Sequence, residues 1–213
     1  MGYPHHVTRR GNRRQPVFFR DGDYESYLEL LAQWCGREGV EVWAYCLMPN
    51  HVHLMVVPRS GEGLARAVGE THRRYTRLIN FREEWRGYLW QGRFASFPME
   101  RAYASACARY IELNPVRARL VKRPEEWRWS SAGAHLRGET GPLIRSSRPL
   151  RNPQEWALLL KGGLAEVEAA AIRRRERTGR PLGTDRFVER LEARLGRTLK
   201  PQKPGRKKKG GNK

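Results

Sequence analysis

Residues 40–57 read VEVWAYCLMPNHVHLMVV, and the fold turns on how this stretch is read. Val40 to Leu47 is rich in β-branched and aromatic residues, and His51 to Val57 is apolar apart from its two histidines. Met48-Pro49-Asn50 between them is a tight connection, so the two segments predict a β-hairpin. Upstream, His5 to Arg10 reads as a short strand, followed by a basic Gly-Asn turn through Arg14. Asp21 and Asp23 stand where helix caps belong. After them Tyr24, Tyr27, Leu28, Leu31, Trp34 and Cys35 recur at helical spacing until Gly36 and Gly39. Downstream, Leu64 to Phe81 is a basic amphipathic helix and Tyr88 to Phe97 an aromatic, extended segment. A third helix runs from about Ala102 to Leu113, where Pro115 must bend or end it. The order strand, helix, strand, strand, helix, strand, helix predicts an α+β protein: a ferredoxin-like antiparallel sheet with helices packed on one face.

Beyond this unit, Glu125 to His135 is a closing segment in which Trp127 and Trp129 read as core anchors. The composition changes after Gly138. Residues 139–153 are rich in Gly, Pro, Ser and Arg and read as a linker. Residues 154–196 form a small C-terminal helical extension with three helical patterns. It reads either as a helix-turn-helix module for DNA or as a helical hairpin packed on the main domain. Residues 197–213 hold eight basic and no acidic residues and are expected to be a disordered electrostatic tether.

Of 213 residues, 42 are Lys or Arg and 22 Asp or Glu, a formal charge of +20 that implies a polyanionic partner. Nucleic acid is the expected one, since each neutralised phosphate releases counterions. Arg9, Arg10, Arg13 and Arg14 near the sheet, with Arg73, Arg74 and Arg77 on the second helix, are the candidate DNA contacts; Arg93 joins them as a groove residue. No apolar run approaches membrane-spanning length and the N-terminus lacks an apolar leader, so a cytoplasmic protein without a membrane partner is expected. Cys35, Cys46 and Cys107 form no C-x-x-C pair and read as buried, reduced thiols.

On a strand, residues i and i+2 share a face, so His51 and His53 project together and two neutral imidazoles can hold one divalent ion. Tyr110 and Asn114 lie four apart, on one side of a helix. A phenol with a pKa near ~10 is a poor nucleophile and needs a cation at its target. A metal on His51 and His53 could supply that, with Asn114 as an oxygen ligand. By spacing alone, without the histidines, Tyr110 reads as an ordinary amphipathic core residue and Asn114 as a helix-ending one.

The segments PNHVHLMV at 49–56 and YIELNPVRARLV at 110–121 resemble the histidine motif and tyrosine helix of single-tyrosine HUH transposases. Within these the chain is most similar to the REP-associated tyrosine transposases. TRRGNRR at 8–14, WQGRF at 90–94 and EWRWSSAGAH at 126–135 are similar too, as is GRPLG at 179–183. The resemblance implies that residues 1–138 are an HUH tyrosine nuclease domain, with His51, His53 and Asn114 as ligands of Mg²⁺ or Mn²⁺. It implies that Tyr110 is the nucleophile, ahead of Tyr103 one heptad earlier. The implied reaction is transesterification on single-stranded hairpin DNA through a 5′-phosphotyrosine bond, by a monomer or homodimer. A noncatalytic DNA- or RNA-binding regulator on the same scaffold is the alternative. A hydrolase with an H-x-H metal site would need further His or Asp ligands near the pair.

Deleting residues 197–213 should weaken DNA affinity and flatten its salt dependence without stopping cleavage. The slope of log affinity against log salt, measured with and without the tail, checks this; equal slopes would refute the tether.

Overall fold

The structure, a computed structural model, describes residues 2–144 and 152–201. Its centre is a four-stranded antiparallel sheet of β1 (His5–Arg10), β2 (Val40–Met48), β3 (His51–Pro58) and β4 (Ala95–Pro98), in the order β2-β3-β1-β4. The hairpin forms as its sequence predicts, with Met48 opposite His51 and Tyr45 opposite Leu54. β1 lies between β3 and β4, with Arg10 opposite His51 and Thr8 opposite His53.

Strand alternation gives the sheet two different faces. Val7, Val52, Leu54 and Val56 face α1 (Asp21–Arg37) and α2 (Gly63–Arg82), and form one core with Tyr27, Leu31, Tyr75 and Ile79. That layer is the ferredoxin-like arrangement expected, with both crossover helices on one side. Asp23 secures its rim at the third residue of α1. It accepts backbone N–H bonds from Phe19 (2.8 Å) and Arg20 (3.2 Å) and pairs with Arg82 at the end of α2. This network holds the Asp23 carboxyl below its usual range against the opposing effect of burial.

The opposite face is covered as well. Ala44, Cys46, Met48, Met55 and Phe97 pack against α3 (Ala104–Glu112), α6 (Pro153–Lys161) and α7 (Glu166–Thr178). The single-face expectation therefore describes α1 and α2, and α3 with the extension adds a second layer. This was hidden because β2 and β3 are apolar on both sides, so their alternation does not show which face is covered. Pro115 acts as expected: α3 ends at Glu112, and α4 (Asn114–Arg117) begins with Pro in its first turn.

The extension is bonded to the domain rather than tethered beside it. Glu112, fully buried, accepts from Ser131 Oγ and His135 Nδ1 (2.5 Å each) and from Trp156 Nε1 (2.9 Å), joining α3, α5 (Ala132–Arg137) and α6. Arg109 reaches Gly163 O and Glu168 at the start of α7. Met99 and Leu182 form a parallel bridge, so the GRPLG segment lies along β4 before α8 (Asp185–Leu195). Trp129 and Ser131 cover β2 at the other edge, through Leu47 N to Trp129 O (2.8 Å) and Ser131 N to Tyr45 O (3.0 Å). Both sheet edges are thus shielded from pairing with another chain. Trp129 stacks on Tyr24 with centroids 4.6 Å apart, a core anchor as expected. All three cysteines are buried and unpaired.

In the linker stretch, Ile144 is buried against the first core and α6 starts at Pro153; residues 145–151 lie outside the described residues. Of the tether stretch, Leu199 and Lys200 donate their backbone N–H to Glu192 on α8, and residues 202–213 lie outside the described residues. Among the described residues, no helix is long and apolar enough to cross a membrane.

Replacing Glu112 with Ala would leave Ser131, His135 and Trp156 without their shared acceptor. It should lower the unfolding free energy by about 3 kcal/mol, read as a drop in urea midpoint. A midpoint equal to the parent would contradict the role assigned to this carboxylate.

Candidate active site

His51 and His53 share the face of the sheet that α3 covers, with ring centroids 4.9 Å apart. The β1 register adds His6 and Arg10 to the same face. α3 then delivers Tyr110, whose ring centroid is 6.0 Å from both His53 and His6. Tyr103, the other tyrosine of that region, sits at the start of α3 and packs in the core formed with α7.

Hydrogen bonding sets the proton on His51. Asn50 donates through Nδ2 to Arg14 O at 3.0 Å, so its Oδ1 is the atom facing His51 Nδ1 at 2.6 Å. An amide oxygen only accepts, so His51 is protonated on Nδ1 and keeps a lone pair on Nε2. His53 Nδ1 lies 3.0 Å from His6 Nε2. Donation from His53 leaves its own Nε2 as a lone pair and puts the proton of His6 on Nδ1. That atom is buried without a hydrogen-bond partner and lies 3.7 Å from Glu176 Oε1, also unpartnered. Proton facing carboxylate is the electrostatically favoured choice.

Burial is the main force on these imidazoles. It lowers His6 to about 3 and His51 to about 4, with Arg117 and Arg10 as smaller contributors. His53 is driven down further, first by burial and then by its histidine and arginine neighbours. At neutral pH all three are uncharged, the form in which imidazole binds a metal.

Tyr110 is buried and donates to Glu176 Oε2 at 3.2 Å. Burial first, then the Glu176 charge, raise its phenol to about 12, against the pull of Arg117. Arg117 lies over the Tyr110 ring with Cζ 3.9 Å from its centroid, and donates to Asn114 Oδ1 at 2.8 Å. Asn114 donates in turn to Tyr110 O at 3.2 Å. Asn114 therefore stands one turn from Tyr110 with its oxygen engaged by Arg117. Glu176, raised by burial, brings a second oxygen donor, and His6, His53 and Glu176 offer ligand atoms all within 4.8 Å of one another.

The arginines divide by layer. Arg10 is on the histidine face, and Arg13 and Arg14 form the exposed turn held by Asn50. Arg9 turns the other way: it donates to Gly92 O (2.7 Å), lies 5.6 Å from the Trp90 ring, and lines a cleft with Arg73 and Arg93. Arg73 and Arg74 pair with Glu70 on α2, and Arg77 is exposed there.

Residues 2–114 match the sequence profile described as "Transposase IS200 like". The chain belongs to the IS200-like transposase family. Family membership makes it a DNA-processing enzyme. In fold it is similar to a REP-associated tyrosine transposase solved bound to a REP hairpin, at 19% identity and TM-score 0.55, covering 71% of this chain and 92% of that one. A Deinococcus radiodurans protein solved as a candidate transposase is 18% identical at TM-score 0.40, covering 56% and 86%. No curated protein matches the chain.

The family profile ends at Asn114. Three residues of the site carry no clear signal in the sequence. His6 is visible only once β1 is paired beside β3. Arg117 lies in the quoted tyrosine segment, where it reads as one more basic residue. Glu176, 66 residues beyond Tyr110, has no local signal.

The histidines also predict a pH profile. The unfolded chain takes up protons near pH 6.5 while the folded site resists them. The stability they contribute is complete above 6.5 and is lost as pH falls toward 4. Urea midpoints in metal-free buffer should decline over that window, and His51→Gln should decline less steeply than the parent; parallel profiles would refute the assignment.

Proposed function

We propose that this transposase cleaves and rejoins single-stranded DNA at a hairpin, with Tyr110 as nucleophile and a divalent ion, Mg²⁺ or Mn²⁺, at the histidines. The observation that supports it best is the approach of Tyr110 to His53, which stands beside His51, across the α3–sheet interface. The donor set fits an ion: two neutral imidazoles on one face of the sheet, protonated on Nδ1 and keeping Nε2 lone pairs. His51 and His53 would hold it, with Asn114 as the oxygen donor. When bound it would offset negative charge on the scissile phosphate.

The chain's own groups supply the rest. The Tyr110 oxygen forms a bond to the phosphorus of the 5′-phosphate as its bond to the 3′ oxygen breaks, and that oxygen takes a proton from solvent and leaves as a 3′-hydroxyl. The phenolic proton passes to Glu176, which already accepts its hydrogen bond. Arg117 lies over the ring and favours the phenolate. One phosphodiester is exchanged for another, so the strand can be resealed by the 3′-hydroxyl without an external energy source. The fold neighbour solved with a REP hairpin supports a hairpin as substrate, and the charge of +20 supports DNA. Arg10, Arg13 and Arg14 would hold the strand near the site, and Arg9, Arg73, Arg74, Arg77 and Arg93 would contact DNA across the α2 layer.

Incubation with labelled hairpin DNA and Mg²⁺ or Mn²⁺ should yield a covalent protein–DNA adduct. Tyr110→Phe and EDTA should each abolish it while binding survives. An adduct lost in Tyr103→Phe but kept in Tyr110→Phe would reassign the nucleophile. Binding without adduct across several hairpins would favour a noncatalytic regulator.

A further inference from the structure

A second cleft lies at the end of α2, on the side of the sheet away from Tyr110. It measures about 700 Å³ and is lined by Phe19, Trp85, Tyr88, Arg86, Asn12 and Asn80 among others, with no carboxylate among the described residues of its lining. Its three rings are open to solvent: Phe19 is 43% exposed, Trp85 49% and Tyr88 88%. Exposed rings gathered in one place mark a binding surface.

The cleft is built in advance. Phe19 meets Trp85 edge-to-face at 5.5 Å, and Arg82, anchored by Asp23, lies 5.9 Å from the Phe19 ring. The loop carrying Trp85 and Tyr88 is tied by Trp85 N to Asn80 O (2.9 Å), Asn80 Nδ2 to Gly87 O (3.0 Å) and Asn12 N to Leu89 O (2.9 Å). Ordering it costs little at the moment of binding.

We propose that this cleft holds an unpaired base of single-stranded DNA by stacking. The proposal rests on the reading that the substrate is DNA. Aromatic faces beside a guanidinium and side-chain amides are the chemistry that takes a base of any sequence. The volume suits about one or two nucleotides, far less than a protein face. Charge complementarity points the same way, since Arg86 lines the cleft and the adjoining turn exposes Arg13 and Arg14. The turn also sets the cleft's place relative to the chemistry. Asn12 begins it, and Asn50 joins its Arg14 carbonyl to His51. The cleft and the histidines therefore lie at the same end of the sheet, on either side of one turn. A strand attacked at Tyr110 would pass that turn and lodge a flanking base among the rings.

The test uses the full chain and two labelled oligomers of equal length, oligothymidylate and an abasic phosphodiester. Wild type should prefer the oligothymidylate. The Trp85→Ala/Tyr88→Ala double variant should lose about tenfold of that preference, while abasic binding, which reads phosphates alone, is unchanged. Trp85→Phe should keep most of it. In wild type, a photoreactive iodouracil strand should crosslink to the peptide carrying residues 85–88, which needs no variant to fold. Wild type binding both oligomers equally, a double variant with the parent's preference, or crosslinks only elsewhere would overturn the stacking site and leave the DNA reading standing. Wild type binding neither oligomer would overturn both.

Discussion

The antiparallel ladder between β1 and β3 is the constraint on which everything else depends. It places Thr8 opposite His53 and Arg10 opposite His51, and because strand side chains alternate, this one register decides which β1 residues meet the histidines. His6 comes within hydrogen-bond range of His53, while Val7 and Arg9 go to the other layer. A slip of one residue would exchange the two sets. It would bury a guanidinium beside the imidazoles and turn His6 toward α1 and α2. The apolar residues of both layers oppose such a slip, so the polar site is positioned by the hydrophobic pattern around it.

Much of this was legible in the sequence, for identifiable reasons. The hairpin showed because Pro49 and Asn50 interrupt two apolar runs. α1 and α2 showed because their apolar stripes face a single layer. His51 and His53 were recognisable as a pair because two-residue spacing on a strand has one geometric meaning. Tyr110 was legible only through resemblance, since its helical spacing is that of a core residue. The second layer stayed hidden because apolar strands do not say what covers them. Glu176 stayed hidden because an acidic residue on a charged helix looks solvated, and only the docking of α7 on α3 and β4 brings it to the site.

That docking makes the extension part of the site. Trp156 is bonded to Glu112, two residues after Tyr110, and Arg109, one residue before Tyr110, is bonded to Gly163 and Glu168. The tyrosine helix is therefore gripped on both sides by the C-terminal helices. The positions of Tyr110 and of Glu176, which accepts its hydrogen bond, are set by the same contacts, and a change in either is felt by both.

The turn beyond β1 has a different lesson. Gly11 precedes it because a Cβ there would meet Gln15 O at 2.2 Å. Arg13 and Arg14 then follow with φ of 51° and 63°, a left-handed conformation that costs a side-chain-bearing residue about 1–2 kcal/mol and that glycine adopts freely. Two neighbouring arginines keep it, and Asn50 fastens the carbonyl of the second. Local stability has been given up here at two exposed arginines whose backbone is fastened next to His51 through Asn50, the exchange expected where a protein's surface is shaped by what it must touch rather than by how it folds.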